Sequence, residues 1–155
     1  MENILVELSS WTAHGSLHPR YDNDVDILVA ESRVRREWTY GINIDDAMIL
    51  DIDADRILAN IDLMIPRRRW KVIPLSEAPH VAPHPSRKAN LKFSIASIKQ
   101  KSFHLPLEVK AYPGKTSVYI LIRQLQPDTL WVALSEACFA AIHENKLLGF
   151  YVSLA

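Results

Sequence analysis

The residues best suited to chemistry in this chain are carboxylates, histidines and one thiol. Asp51-x-Asp53-x-Asp55, followed by Asp62, imitates positions 1, 3, 5 and 12 of a calcium loop. Such a loop needs glycine at its sixth position, where the chain turns sharply, and a bidentate glutamate at its twelfth. Arg56 and the shorter Asp62 stand there instead, and the flanks alternate as strands, so the pattern reads as a solvated hairpin turn. His80 and His84 have the i, i+4 spacing that places two rings on one helix face, but Pro79 and Pro83 deny that helix. His14, His18, His104 and His143 show no ligand-like grouping with Cys138. The histidines are therefore expected as exposed loop residues, with no metal, no cofactor and no catalytic residue assigned. Cys138 lies between Ala137 and Phe139 in an apolar run and reads as an inert buried thiol. Paired carboxylates such as Asp45-Asp46 are not tied to an apolar pocket, and no phosphate-cradling loop, G-x-S-x-G or dinucleotide fingerprint occurs.

The sharpest charge feature is Arg67-Arg68-Arg69-Trp70 after Pro66, with Arg33, Arg35, Arg36 and Trp38 as a second cluster. Guanidinium groups fork onto carboxylates and phosphates, and an indole fills a pocket, so these types anchor interfaces. The same arginines also suit a solvated strand edge that blocks aggregation, with Trp38 and Trp70 in the core. Phosphate neutralisation and stacking would serve nucleic acid, but two short clusters on a neutral chain disfavour it.

These groups must be positioned by 155 residues, enough for a single domain. An apolar content of 48% with 23% charged residues excludes disorder, collagen and coiled coil. Lys+Arg and Asp+Glu number 18 each, so no global field pulls the chain to nucleic acid or anionic lipid. One cysteine permits no intrachain disulfide and fits a reducing cytoplasm. The segment from Met1 to Leu8 lacks the basic start and long apolar run of a signal peptide, and no apolar stretch approaches the about 18 residues of a spanning helix. A soluble, cytoplasmic chain, whole as it stands, is the expectation.

The dominant period is two. Residues 25–29, 47–53 and 57–64 read as strands, the last two joined as a hairpin by Ala54-Asp55-Arg56. Further strands are expected at 2–8, 36–43, 70–73, 91–98, 103–112, 117–125, 130–133 and 147–154. The stretch 74–88, with Pro74, Pro79, Pro83 and Pro85, reads as an extended linker. The one helix candidate is 135–145, capped by Ser135, with Cys138, Ala141 and Ile142 at helical spacing.

An internal duplication is visible. Residues 25–30, VDILVA, lie over 118–123, VYILIR, and a tryptophan, Trp38 or Trp131, follows each. Residues 45–58 lie over 135–148 at an offset of 90, matching Ala47 to Ala137, Ile52 to Ile142 and Leu58 to Leu148. Beyond the turn an offset of 89 fits as well, with Asn60 on Gly149, Ile61 on Phe150 and Leu63 on Val152. Two copies of one supersecondary unit, 1–73 and 89–155, would share a core that neither can build alone. The copies disagree at one element, since 47–53 reads as strand and 137–143 as helix.

Tyr21-Asp22, Asp26-Ile27-Leu28-Val29, then Ile49-Leu50-Asp51-Ile52-Asp53-Ala54-Asp55 and Ile61-Asp62-Leu63 resemble a small bacterial domain family of unknown function. Its pattern is Y-D-x-x-x-D-x-L-x-I, then I-x-D-x-D-x-D-G-x-I-x-G-I-E-I-L. The resemblance covers residues 21–64, implies a small β-rich fold and supplies no activity. The family's two hairpin glycines fall on Arg56 and Asn60.

The expected fold is a β-rich α+β domain, mostly antiparallel, built from two related halves with a helix near 135–145. The expected function is non-catalytic binding in a bacterial cytoplasm, as an immunity or antitoxin-type inhibitor that occludes a cognate protein toxin. Asp51, Asp53 and Asp55, or Arg67, Arg68, Arg69 and Trp70, would meet opposite charge on the partner. The alternatives are a small enzyme with His80, His84 or His143 as base, and a homodimeric structural or regulatory subunit paired through a sheet edge.

Overall fold

The computed structural model describes residues 2–34, 37–74, 76 and 87–154. The hairpin at the centre of the resemblance forms as its alternation dictates. Strand β5 (Met48–Ile52) buries Met48, Leu50 and Ile52 and leaves Ile49 and Asp51 half-buried on the other side. It pairs with β6 (Leu58–Leu63). Outside this pair lie β3 (Ile27–Ser32) and β2 (Leu17–Asp22) on one flank, and β4 (Tyr40–Ile44) with β9 (Ser102–Phe103) on the other. The resulting sheet has six strands in the order β2-β3-β6-β5-β4-β9.

A second sheet has eight strands in the order β1-β8-β12-β13-β14-β11-β10-β7. Its members are β1 (Val6–Ser10), β7 (Lys71–Val72), β8 (Arg87–Phe93), β10 (Glu108–Ala111), β11 (Ser117–Leu121), β12 (Leu130–Ala133), β13 (Cys138–His143) and β14 (Lys146–Ser153). Pairing is antiparallel except at β7–β10, β8–β12 and β4–β9. The inward faces of both sheets contribute to one buried cluster, with Leu28, Ile42, Leu50 and Ile61 from one and Val118, Ile120, Val132 and Phe150 from the other. The chain is thus β-rich with two mixed sheets and one short helix among the described residues, α1 (Ile95–Gln100).

The cores of the two sheets repeat each other strand for strand. The order β2-β3-β6-β5-β4 is matched by β10-β11-β14-β13-β12. Registers coincide too: His18 faces Glu31 as Glu108 faces Leu121, and Ala30 faces Ile61 as Ile120 faces Phe150. Both hairpins carry a register shift at the same place, Asp51/Ile52 and Ala141/Ile142. Pairing of Asp51 with Asn60 and of Ala141 with Gly149 selects the offset of 89 beyond the turn. Trp38 and Trp131 are not counterparts, because Gly41 occupies the position opposite Asp51 that Trp131 occupies opposite Ala141.

The expected helix at 135–145 is instead strand β13. Cys138, Ala140 and Ile142 enter the main core, and Ala141 packs on the far side with Trp131 and Leu148. A strand covered on both faces loses its alternation and reads as an unbroken apolar run, which resembles a buried helix. Glu144 and Asn145 take positive φ values of 49° and 62°, the backbone of a tight hairpin turn. Met48–Ile52 and Cys138–His143 are therefore both strands. The helix falls at 95–100, cutting short the strand expected at 91–98. Ser94 caps it, its Oγ accepting from the Ser97 N–H at 3.1 Å. Strand β2 has little alternation and contains Pro19, which an edge strand tolerates.

The stretches 1–73 and 89–155 do not map one to each sheet, because strands cross between the sheets. β1 and β7 join the eight-stranded sheet, and β9 joins the six-stranded one. β1 pairs antiparallel with β8, Val6 opposite Phe93. The Val6 N–H donates to the Asn145 carbonyl and the Phe93 N–H to the Arg56 carbonyl, both at 2.9 Å, so each strand reaches the other half's hairpin turn. Of the expected linker, Leu75 and residues 77–86, with His80 and His84, lie outside the described residues, as do Arg35 and Arg36; Arg87 and Lys88 already belong to β8.

Candidate functional site

The three carboxylates of the β5–β6 hairpin part company. Asp51 points outward from the sheet and accepts from Asn60 Nδ2 at 2.9 Å. Partial burial, reinforced by the nearby Asp62 charge and opposed by the Asn60 bond, holds its carboxyl above the usual range. Asp53 is 1% exposed. Its Oδ1 accepts from the backbone N–H groups of Asp55 (2.9 Å) and Ile57 (3.0 Å), which fixes the turn. Arg56 takes φ 67°, the left-handed conformation for which the resembling family uses glycine. Its Nη1 donates to the Phe93 carbonyl at 3.1 Å, an anchor glycine could not supply. Asp55 is exposed. The turn is a hairpin, as the spacing implies, but Asp53 is not solvated.

The arginine run forms a built recess. Arg67–Arg69 make one 3₁₀ turn after Pro66. Trp70 closes it from beneath, 3% exposed, with Nε1 donating to the Ile65 carbonyl at 2.9 Å. Tyr21 stands edge-on to Trp70, with ring centroids 5.7 Å apart. The Arg67 guanidinium carbon lies 4.2 Å from the Tyr21 ring centroid and 5.7 Å from that of Trp70. The Arg67 backbone N–H donates to the Tyr21 hydroxyl at 2.8 Å, and Lys115 Nζ donates to the Arg67 carbonyl at 3.0 Å. Arg68 reaches Asp26 at 3.4 Å across the rim, and Arg69 is exposed. The recess encloses about 320 Å³ between Tyr21, Asn23, Asp26, Arg67, Arg68 and Lys115. Three cations face one carboxylate there. Stacking fixes the Arg67 fork before any anion arrives, so little side-chain freedom is lost on binding.

The outer face of the eight-stranded sheet differs in kind. Tyr119, Trp131 and Leu148 form a small second cluster, joined by partly buried Tyr112, Phe139 and Tyr151. The equivalent outer positions on the other sheet hold Val29, Gly41, Asp62 and Ile49. Beside the aromatics a cleft of about 460 Å³ lies between Glu108, Lys110, Arg123 and Leu125. Cys138 is wholly buried, and desolvation pushes its thiol up to about 12, so it is the inert thiol expected. Trp38, expected in the core, is 50% exposed. His143 Nδ1 lies 3.0 Å from Asp128 and its Nε2 3.7 Å from Glu144, on opposite edges of the ring.

One grouping escapes the sequence. His14, Asp53 and Asp55 each place a potential ligand atom within 4.8 Å of the others. His14 sits on a 3₁₀ turn, Ala13–Gly15, just before β2, and meets the hairpin only through the fold. Its separation from the aspartates along the chain gave no signal, since local ligand spacing was the only cue available.

No protein-family model matches the chain, and no curated protein is similar to it. Among the described residues, no helix is long and apolar enough to cross a membrane.

Proposed function

We propose that this chain is a non-catalytic binding protein of a bacterial cytoplasm, of the immunity or antitoxin type, which docks an acidic segment of a cognate toxin. The observation that supports this reading is the recess at Arg67, Arg68 and Lys115. A preformed cluster of three cations, with one guanidinium stacked on Tyr21, suits a carboxylate-bearing loop of a protein partner. Arg69 and Asp55 extend the contact as rim charges, while Trp70 and Asp53 hold the surface from behind. In this mechanism the partner's acidic loop fills the recess and the body of the sandwich covers its working surface.

The same reading takes the chain as two related halves, duplicated and then diverged. The shared strand order, register and bulge support that descent. One copy kept a polar outer face and the other acquired aromatic cover.

The test is co-purification with the product of the adjacent reading frame. The wild-type chain should hold it, with about tenfold weakening or more as salt is raised. Arg67→Glu with Lys115→Glu should abolish the complex, and a wild-type-like circular-dichroism spectrum should show that the fold survives the loss of the Arg67–Tyr21 stacking. A complex indifferent to both charge reversals, or no complex at low salt, overturns the reading.

A further inference from the structure

We propose that His14, Asp53 and Asp55 bind a divalent transition ion of the Zn²⁺, Co²⁺ or Mn²⁺ kind, clipping the turn before β2 to the β5–β6 hairpin. The site is built around Asp53. That carboxylate is 1% exposed, and two backbone N–H groups hold its Oδ1 in place. Its Oδ2 is turned to His14 Nε2, 4.0 Å away, which is too long for a direct hydrogen bond. Two ligands at about 2.0–2.1 Å from a tetrahedral ion stand roughly 3.4 Å apart. The three ligand atoms stand wider than this, within 4.8 Å of one another, and His14 and Asp55 are the two members with solvent access. A carboxylate so far from water is stabilised by a positive charge beside it. A bound divalent ion is one such charge.

The surroundings orient the ring. The Thr12 hydroxyl lies 3.2 Å from His14 Nδ1 and 3.1 Å from Nε2. That hydroxyl accepts from Asn90 Nδ2 at 2.6 Å, and the Thr12 N–H donates to Asn90 Oδ1 at 3.3 Å. Gly15 lets this turn press onto β8: a Cβ there would fall 2.3 Å from the Asn90 side chain. The Thr12 hydroxyl lies within reach of both ring nitrogens, so with Nε2 on the ion it can stay on Nδ1, the position from which an outer partner raises metal affinity. Imidazole with two carboxylates favours Zn²⁺, Co²⁺ or Mn²⁺ over Ca²⁺ and Mg²⁺, which prefer all-oxygen shells. Three protein ligands leave a position for water. The clip would join the six-stranded sheet, through Asp53, to the eight-stranded one, through Thr12 and Asn90.

The test uses the full chain after chelator treatment. Co²⁺ is titrated by its visible absorption and Zn²⁺ by calorimetry, with Ca²⁺ and Mg²⁺ alongside. One equivalent of Zn²⁺ or Co²⁺ should bind, and saturating Zn²⁺ should raise Tm by several degrees. His14→Gln and Asp55→Asn change accessible side chains and should keep the metal-free urea midpoint, yet each should weaken binding at least tenfold. Absence of binding at millimolar Zn²⁺ and Co²⁺ overturns the proposal. So does undiminished binding by His14→Gln, which would put the ion on other histidines, or Ca²⁺ binding as tightly as Zn²⁺.

Discussion

Asp51 carries a charge the fold would be better without, and Asp51→Asn should stabilise the protein at neutral pH. The carboxylate has one amide donor, Asn60 Nδ2, against partial burial and the Asp62 charge on the same face. Burial wins, so the folded-state pKa stands above its ordinary 3.8. The folded chain therefore holds this proton more tightly than the unfolded chain does. As pH rises through 3.8 the unfolded state ionises first and stability begins to fall. The loss is complete once pH passes the raised folded value. Asparagine has the same shape and no charge. It also brings a donor to Asn60 Oδ1, which is buried and has no hydrogen-bond partner among the described residues. Relief of a like-charge cross-strand contact gives about 0.2–1 kcal/mol, and one net hydrogen bond about 0.5–1.5 kcal/mol. The expected gain near pH 7 is then about 1–2 kcal/mol, or roughly 3–6 °C in Tm for a chain of this size. Near pH 3 the wild-type group is neutral in both states, its own O–H can serve Asn60, and the gain should vanish. Urea unfolding of both proteins at about pH 3, 5 and 7 reads this directly. A gain independent of pH, or a loss at pH 7, refutes the reasoning.

Gly149→Ala should cost about 2–3 kcal/mol, because its φ is 156° and a Cβ would fall 2.2 Å from the Ile120 carbonyl oxygen; a urea midpoint close to wild type would contradict this. Ser94→Ala should lose about 1 kcal/mol by removing the cap of α1, checked in the same way. Cys138 should resist a thiol reagent near pH 8 and react only as urea unfolds the chain, since burial raises its pKa to about 12; rapid labelling of the folded protein would count against its placement in the core. In acrylamide quenching, Trp38 (50% exposed) and Trp11 (38% exposed) should account for the accessible fluorescence, and Trp11→Phe with Trp38→Phe should leave a poorly quenched signal from buried Trp70 and Trp131.

Where one face of a strand met water, the pattern was easy to read. The 47–64 hairpin alternates cleanly because Ile49 and Asp51 reach solvent while Met48, Leu50 and Ile52 do not. Strand β13 hid because Trp131 and Tyr151 cover its outer side, so the sequence there records burial without direction. Strand β2 hid for the opposite reason: it is half-wet, polar and edge-placed. The offset of 89 was visible as an option, and only the register of β13 on β14 could choose it. The arginine run announced a charged surface, but Tyr21 and Lys115, which give the recess its shape, join it from 46 and 48 residues away. The His14 cluster depends entirely on such distant convergence.

The exchange of strands between the sheets governs how the molecule can come into being. β1 is synthesised first, yet its antiparallel neighbour ends at Phe93, a loop closure spanning 87 positions. Until that segment leaves the ribosome, the backbone N–H and C=O groups and the Val6 side chain of β1 have no native partner. Folding must then be concerted and slow compared with that of a chain built from local contacts. Severed at the mid-chain prolines, the two fragments should be helpless singly and competent only when mixed.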